Sequence, residues 1–512
     1  MNDVIEYGSR RTFVTLAITI ATLLEIVDIT IVNVALPNIQ GNFGASVDEI
    51  AWVGTGYIIA NVIVIPLTPW LQRRFGRKQY YAASIILFTI ASMACGLSQS
   101  LDALIFWRIV QGLGGGGLIS TSQAILRETY PQNEQGKAAG IFSLGVIMGP
   151  TIGPTLGGII TDQFSWRWAF FVNLPLGIIA ATLVIALLRN PEEPRKLPLD
   201  LPGLGFLAVG VGSLQYVLDQ GQRKDWYGDR GITIFTGLAC IGLVAFVVRE
   251  LRASKPIVDL HVLRLPTVWA GSLLGMVLGI SLYGTVLILP LYTQGSLGFT
   301  ATLSGLLLMM RAVAIMICTP PIAMMVQRGK ADSRLFIASG FAMIGVSNLM
   351  LASATTTQSS FWTFFAALTL SGAGLSQIFV PLTFTVLTGV TPREVPAAAA
   401  FFNLSRQLGG SVAIAVLVTI LARDVATYHE QLGSSISLTS PAVMRYVQQQ
   451  GGVTEMTRSK LDELVNGQAS VLAYADTARF TGFTSLLLMP LAFVLRRPKL
   501  GGASSAAEVA AE

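Results

Sequence analysis

The stretch GVIMGPTIGPTLGGII, Gly145 to Ile160, carries a glycine at every fourth position, Gly145, Gly149, Gly153 and Gly157. On a helix these glycines form one bare stripe. A neighbouring helix can approach such a stripe closely, which is a main route to tight packing in lipid. Pro150 and Pro154 each remove a helical hydrogen bond and leave carbonyls that a bend or a cavity must accommodate. A helix that is notched and bendable suits a moving part. The same residues also suit a close-packed membrane helix with no further role, and spacing alone does not separate the two.

Composition extends the membrane reading to the whole chain. Of 512 residues, 52% are hydrophobic and only 12% are charged, whereas a soluble chain carries about twice that charge fraction. Apolar runs of roughly 20 residues recur from end to end, each long enough to cross a hydrocarbon core of about 30 Å. The net charge of +6 reads as loop topology rather than nucleic-acid binding. Cys95, Cys240 and Cys318 fall inside apolar runs without disulfide or metal spacing, and His261 and His429 lie in connections. Proton chemistry at membrane depth is therefore left to carboxylates.

The first apolar run, about Phe13 to Ala35, is too long for a removable leader and lacks a small-residue cleavage site. It contains Glu25 and Asp28, one helical turn apart on one face. Carboxylates at that depth are costly and face a cavity or a partner. The alternative is that Asp28 hydrogen-bonds Thr30 or Asn33 near the outer boundary. Spans two and three, near 50–71 and 79–98, bracket the basic loop RRFGRK, Arg73 to Lys78. Span four, near 101–127, places Arg108 one turn from Gln111, ahead of Gly112 and Gly114 to Gly117. Arg108 needs a partner, or snorkels to the outer interface. Span five is the opening stretch, and WRWAFFVNLP, Trp166 to Pro175, leads into span six.

A proline- and charge-rich connector, Arg189 to Asp200, precedes two further spans near 201–218 and 232–248. Six more are expected near 267–289, 303–326, 335–352, 361–386, 397–421 and 480–495, for fourteen in all. Basic residues concentrate in alternate connections: Arg73 to Lys78, Arg127/Lys137, Arg189/Arg195/Lys196, Arg249 to Arg264, Arg328/Lys330/Arg334, Arg393 and the tail Arg496/Arg497/Lys499. Positive-inside placement then puts both termini in the cytoplasm. Residues 422–477 form a long outer segment with a helix-like stretch near Met456–Asp476. It is open to two readings, a floppy insertion or a docking or gating element.

These residues together resemble the major facilitator superfamily, in its fourteen-span drug:proton antiporter branch of the EmrB/QacA type, over nearly the whole chain. DITIVNVALP (Asp28–Pro37) resembles the branch's first-span motif, and RIVQGLG (Arg108–Gly114) its fourth-span motif. The Gly145–Gly158 stretch is similar to the antiporter motif. WRWAFFVNLPLG (Trp166–Gly177), RQLGGSVAIA (Arg406–Ala415) and AYADTARF (Ala473–Phe480) are similar to further branch signatures. The loop between spans two and three departs from the family pattern, with Pro69 at a glycine position and Arg73 at the aspartate position. Arg311, in LLLMMRAVAIM, also departs from the apolar residue or proline expected there.

The resemblance implies an all-α polytopic fold of two six-helix halves, 1–190 and 256–512, around a midplane cavity. Two extra spans would lie in 191–255, and 498–512 would be a cytoplasmic tail. It further implies a secondary transporter without a cofactor, driven by the proton gradient across a bacterial inner membrane and exporting amphipathic drug-like compounds. Asp28, Glu25 and Arg108 are expected to couple protons. Asn33, Gln111, Arg311, Gln377, Asn403 and Arg406 are expected to line the substrate cavity. Gly145, Gly149, Pro150, Gly153, Pro154, Gly157 and Gly158 are expected to control closure, and Arg73, Gly76, Arg77 and Lys78 to form the cytoplasmic gate loop. A periplasmic adaptor and an outer-membrane channel are the partners implied, with no nucleic acid. Arg311 is open to three readings: pairing with Glu25 or Asp28, receiving an anionic substrate group, or bonding carbonyls freed by Pro320 and Pro321. No Gly-x-x-x-x-Gly-Lys-Ser/Thr pattern supports nucleotide-driven transport. The rivals are a dedicated exporter of one anionic metabolite, such as a fatty acid or siderophore, and a non-transporting receptor or scaffold.

Overall fold

The computed structural model describes residues 8–131, 134–189, 198, 200–253, 256–328, 332–436, 440–450, 452 and 454–495. Residues 190–197, Lys255, Lys330 and the tail with Arg496, Arg497 and Lys499 lie outside the described residues. Among the described residues the fold is all-α, with short 3-10 turns and no strand. The helices are α1 (Gly8–Phe43), α2 (Val47–Phe75), α3 (Arg77–Leu97), α4 (Leu101–Gly115), α5 (Leu118–Thr129) and α6 (Gln135–Gln163). They continue with α7 (Trp168–Phe171), α8 (Asn173–Leu187), α9 (Leu201–Gln220), α10 (Arg230–Arg252), α11 (Pro266–Gly295) and α12 (Ala301–Gln327). The last are α13 (Ser333–Ala354), α14 (Phe365–Thr388), α15 (Val395–Ser435), α16 (Pro441–Gln449) and α17 (Glu455–Leu488).

Among the described residues thirteen helical segments are long and apolar enough to cross a membrane, α4–α5 and α7–α8 each counting as one, and the 30-residue α11 stands beside them. The chain is a multi-pass membrane protein. On α10 the outward face is apolar, with Ile234, Ile241 and Val244 60–70% exposed, as a lipid-facing surface requires.

Local chemistry sets the ends. Ser46 and Glu49 form a reciprocal capping box that starts α2. Ser100, Asp229, Thr300 and Thr454 cap α4, α10, α12 and α17. Gly76, at φ +85°, supplies the turn between α2 and α3. The glycine run interrupts the fourth span. A side chain at Gly112 or Gly116 would strike backbone of α2, and one at Gly114 would lie 2.8 Å from the Phe88 nitrogen of α3. Only bare backbone lets α4 and α5 nest between those two helices.

Within the first half, α1 packs on α6 and α8, α2 on α4, and α3 on α4 and α8. Within the second, α11 packs on α15, α12 on α14, and α13 on α14 and α17. The halves meet where α6 lies on α12 and where α15 lies on α2 and α5. The α9–α10 pair covers the α2–α15 seam. Leu207 and Val211 join Val62 and Trp70 of α2, with Leu404 and Leu408 of α15 packed alongside. At the end of the bundle carrying the N-terminus the halves are in contact. Arg127 donates to the Leu387 carbonyl at 3.3 Å, and Ala139 packs with Ala323, Val326 and Phe384.

Two sequence expectations change. The last span does not begin near residue 480: α17 runs unbroken from Glu455, so the helix-like stretch and the final span are one element. Likewise α15 continues to Ser435, about 60 Å long at about 1.5 Å per residue, twice the hydrocarbon thickness. The outer segment is therefore largely helical rather than a floppy insertion. Its helices are tied together by Tyr428 to Asp476 and by His429 to Asp462 at 2.9 Å. Polar faces extended these helices without the apolar run that marked their membrane parts.

Candidate functional site

Glu25 and Asp28 share the buried face of α1, and the neighbouring helices supply a complete set of donors. Asp28 accepts from the Arg108 guanidinium at 2.6 Å, from Gln111 Nε2 at 2.9 Å and from Asn173 Nδ2 at 2.8 Å. Arg108 also donates to the Gln111 side-chain oxygen at 2.8 Å and through Nε to the Val53 carbonyl at 3.0 Å, and lies 4.2 Å from the Tyr57 ring centre. All four side chains are at most 1% exposed. A buried ion pair is tolerable only when its remaining donors and acceptors are satisfied, and this one is held by α1, α2, α4 and α8 together. Asp28 bonds neither Thr30 nor Asn33, and Arg108 does not reach an interface.

Glu25 has different partners. Asn61 of α2 donates to it at 3.0 Å, and the Ile119 backbone N–H donates at 3.3 Å. Ile119 is in the first turn of α5, so the glycine break creates a helix N-terminus at membrane depth and the carboxylate of Glu25 caps it. The two acids therefore sit one turn apart in separate polar shells. A proton on Asp28 would compete with Arg108, and a proton on Glu25 would compete with a helix terminus.

The glycine stripe packs on α1 along a face other than the one that carries the acids. Gly145 lies against Thr19 and Leu23, Gly149 against Ile26, Gly153 against Thr30, and Gly157 against the Ile31 backbone at 3.1 Å, all on α1. Pro150 and Pro154 lie inside one continuous α6.

Beyond the acids, towards the end remote from the N-terminus, lies a cavity of about 620 Å³ between the halves. Ile29, Asn33 and Pro37 of α1, Ile58 of α2, and Pro154 and Gly158 of α6 form one wall. Val286, Pro290 and Gln294 of α11, Leu308 of α12, and Gln407 and Ile414 of α15 form the other. Asn33, Pro37, Asn38 and Gln294 are exposed, so the cavity opens at this end. Its walls are mainly apolar with scattered amides and hydroxyls, a lining suited to amphipathic molecules.

Of the residues expected to line the cavity, Asn33 does so, and the other five do not. Gln111 belongs to the Asp28 cluster. Arg311 is fully buried and donates to the Ser281 and Leu282 carbonyls of α11 at 3.2 and 3.5 Å. It pairs with neither acid, and its carbonyl partners are not those freed by Pro320 and Pro321. Gln377 bonds Ser339 between α13 and α14. Asn403 donates to Gln123 at 2.7 Å and Ser120 at 3.3 Å across the seam. Arg406 is buried beside cavity-lining Gln407. Each correction has one cause, since helix periodicity assigns a face but not the helix that covers it. In the gate loop, Arg77 donates to Gln72 at 3.0 Å and pairs with Glu128, so α5 supplies an acid the loop itself lacks. Arg73 bonds its own helix at the Pro69 carbonyl. Asn61 and Asn173 were missed as partners. The available signal was an amide inside an apolar span.

Residues 18–414 match the family model described as Major Facilitator Superfamily. The chain is 32% identical over 495 residues to the multidrug export protein EmrB of Escherichia coli strain K12, covering 96% of each chain. It is 30% identical to the fatty acid resistance protein FarB of Neisseria gonorrhoeae, over 96% of this chain and 97% of the relative. Among solved structures, the proton:xylose symporter XylE aligns over 99% of this chain and 100% of its own, with a TM-score of 0.61 at 14% identity. That likeness shows the fold.

Proposed function

Because the chain belongs to the major facilitator superfamily, in its EmrB-like branch, we propose that it exports amphipathic, drug-like molecules in exchange for protons. One observation carries this reading. A cavity of about 620 Å³, mostly apolar, lies directly beyond two carboxylates buried on α1. The apolar walls supply adaptable contact for varied substrates. Asp28, with Glu25, exchanges the proton, and Arg108 competes with that proton for the Asp28 carboxylate. No cofactor enters, since the proton gradient drives the cycle.

Basic connections support cytoplasmic termini and a bacterial inner-membrane location. The cavity then faces outward and the closed end faces the cytoplasm. The projecting α15–α17 hairpin is suited to receive a periplasmic adaptor leading to an outer-membrane channel. Alternation would swing the halves about the fixed cavity, with the α6 stripe sliding on α1 and the Arg77–Glu128 pair bracing the cytoplasmic end.

Dye efflux from inverted vesicles under an imposed pH gradient tests the proposal. Wild type is expected to transport and Asp28→Asn to lose gradient-driven transport while remaining folded. Unchanged transport by Asp28→Asn moves the proton site to Glu25. No gradient-driven transport of any dye overturns the multidrug reading.

A second reading, export of one anionic metabolite, rests on Arg311, a fully buried guanidinium that bonds only backbone carbonyls and no carboxylate among the described residues. Competition by anionic but not cationic dyes would favour it.

A further inference from the structure

The three largest fully buried side chains are arginines, and they differ in what they touch. Arg108 holds Asp28, and Arg311 holds two carbonyls of its own half. Arg406 is 1% exposed, yet its Nε and Nη1 have no hydrogen-bond partner among the described residues. A guanidinium in that position is a buried charge awaiting compensation.

Its depth is set by its neighbours. One turn before it on α15, Asn403 reaches across the seam to Ser120 and Gln123 of α5. The two helices run antiparallel, so one turn further along α15 is level with the glycine-rich start of α5. There the Ile119 N–H meets Glu25. Arg406 therefore stands level with Glu25 across the seam, with no hydrogen bond joining the two among the described residues. Its backbone is pinned from the other side, because the Arg406 carbonyl abuts Gly279 of α11 too closely for any side chain there. Glu25 and Arg406 thus belong to opposite halves, immediately beneath the floor of the cavity. Ile29, one turn from Glu25, and Gln407, next to Arg406, are both in its lining.

Other ionisable groups facing Glu25 are Asp28 on its own helix, Tyr57 of α2, and Tyr80 and Tyr81 of α3. The facing parts of α5, α6, α7 and α8 contribute no charge. Arg406 is therefore the cation that the second half presents to this carboxylate.

We propose that Arg406 is a positioning residue for proton exchange at Glu25, and that attraction between ionised Glu25 and the Arg406 charge holds α15 against α5, keeping the cytoplasmic end shut. The inference rests on the proton-coupled reading above. A proton delivered by hydronium through the cavity binds a Glu25 oxygen and leaves water behind. Glu25 becomes neutral, Arg406 is left as an uncompensated buried cation, and the seam parts so that water reaches it. Loss of the proton to cytoplasmic water restores the pair and closes the seam. Proton uptake from outside thus drives the return to the inward-open state.

The test is a distance measured without substrate. Full-length protein with its native cysteines replaced carries labels at Phe75→Cys and Arg393→Cys, at the cytoplasmic end of each half, and is reconstituted in nanodiscs. Wild type is expected to be closed at high pH and open at low pH. Arg406→Gln removes the cation that protonation of Glu25 would strand, so the pH-driven change in distance should be lost. Arg406→Lys should keep the wild-type midpoint, and Glu25→Gln should stay open throughout. A pH switch retained by Arg406→Gln, or by Glu25→Gln, overturns the latch. If Arg406→Gln does not fold, the charge-neutral double variant Glu25→Gln/Arg406→Gln is measured instead; a wild-type pH response there also overturns it. Because no dye is involved, a failed efflux assay with an intact latch counts against the transport reading alone.

Discussion

Asp28 illustrates how a charge survives at membrane depth. Its two oxygens accept three hydrogen bonds from three side chains on two other helices, and one donor is itself a cation. Removing Arg108 leaves that carboxylate buried and uncompensated. Arg108→Ala is therefore expected to cost roughly 3–5 kcal/mol, visible as a lowered unfolding midpoint in detergent. The pair Asp28→Asn/Arg108→Gln should be less destabilised than the sum of its single variants, because the two sites are in direct contact. Strict additivity would show that the 2.6 Å contact contributes little to stability.

At the scale of elements, α6 and α1 form a close contact along the glycine stripe. The glycine stripe offers no side chains to interlock, and Ile26, Thr30 and Ile31 of α1 fill the space a side chain would need. Gly153→Leu is expected to cost about 1–3 kcal/mol through overpacking and to stop dye efflux. Gly237→Ala, on open surface of α10, should change neither. A Gly153→Leu protein that transports normally would remove the stripe from the mechanism. The α4–α5 break follows the same logic in reverse. Its glycines let backbone nest against α2 and α3, and the helix terminus so created becomes a partner for Glu25.

For the whole molecule, the closed end that carries the N-terminus and the cavity open at the other end are together one state of the cycle proposed above. Gly140 of α6 faces Ala323 of α12 across the closed end, where a Cβ on the glycine would lie 2.6 Å from the alanine methyl. A shift of about an ångström brings that pair to the spacing of a disulfide. In a background lacking Cys95, Cys240 and Cys318, Gly140→Cys/Ala323→Cys is expected to cross-link under mild oxidation and to arrest efflux until reductant is added. Transport that persists with the cross-link formed would show that this end need not open. The α9–α10 pair bridges the other seam. Trp70 bonds the Pro198 carbonyl at 3.3 Å on the first half, and Trp226 bonds Thr419 of α15 at 3.2 Å on the second.

Sequence by itself determined the membrane class, the succession of spans, the acids of α1 on one face, the Arg108–Gln111 turn and the glycine stripe. Each is a property of a single helix, in which apolar length and a period of 3.6 residues say what is buried and what shares a face. Tertiary structure alone decided which faces meet. It turned Arg311 onto carbonyls of α11 rather than onto an acid, brought Asn61, Asn173 and the Ile119 N–H to the carboxylates, and buried Arg406 with no partner for its Nε or Nη1 among the described residues. It also merged the outer helix with the last span. The reason is physical. In lipid, helix pairing is selected by close packing of small residues and by the satisfaction of polar groups between helices distant in sequence. Neither can be read along one helix.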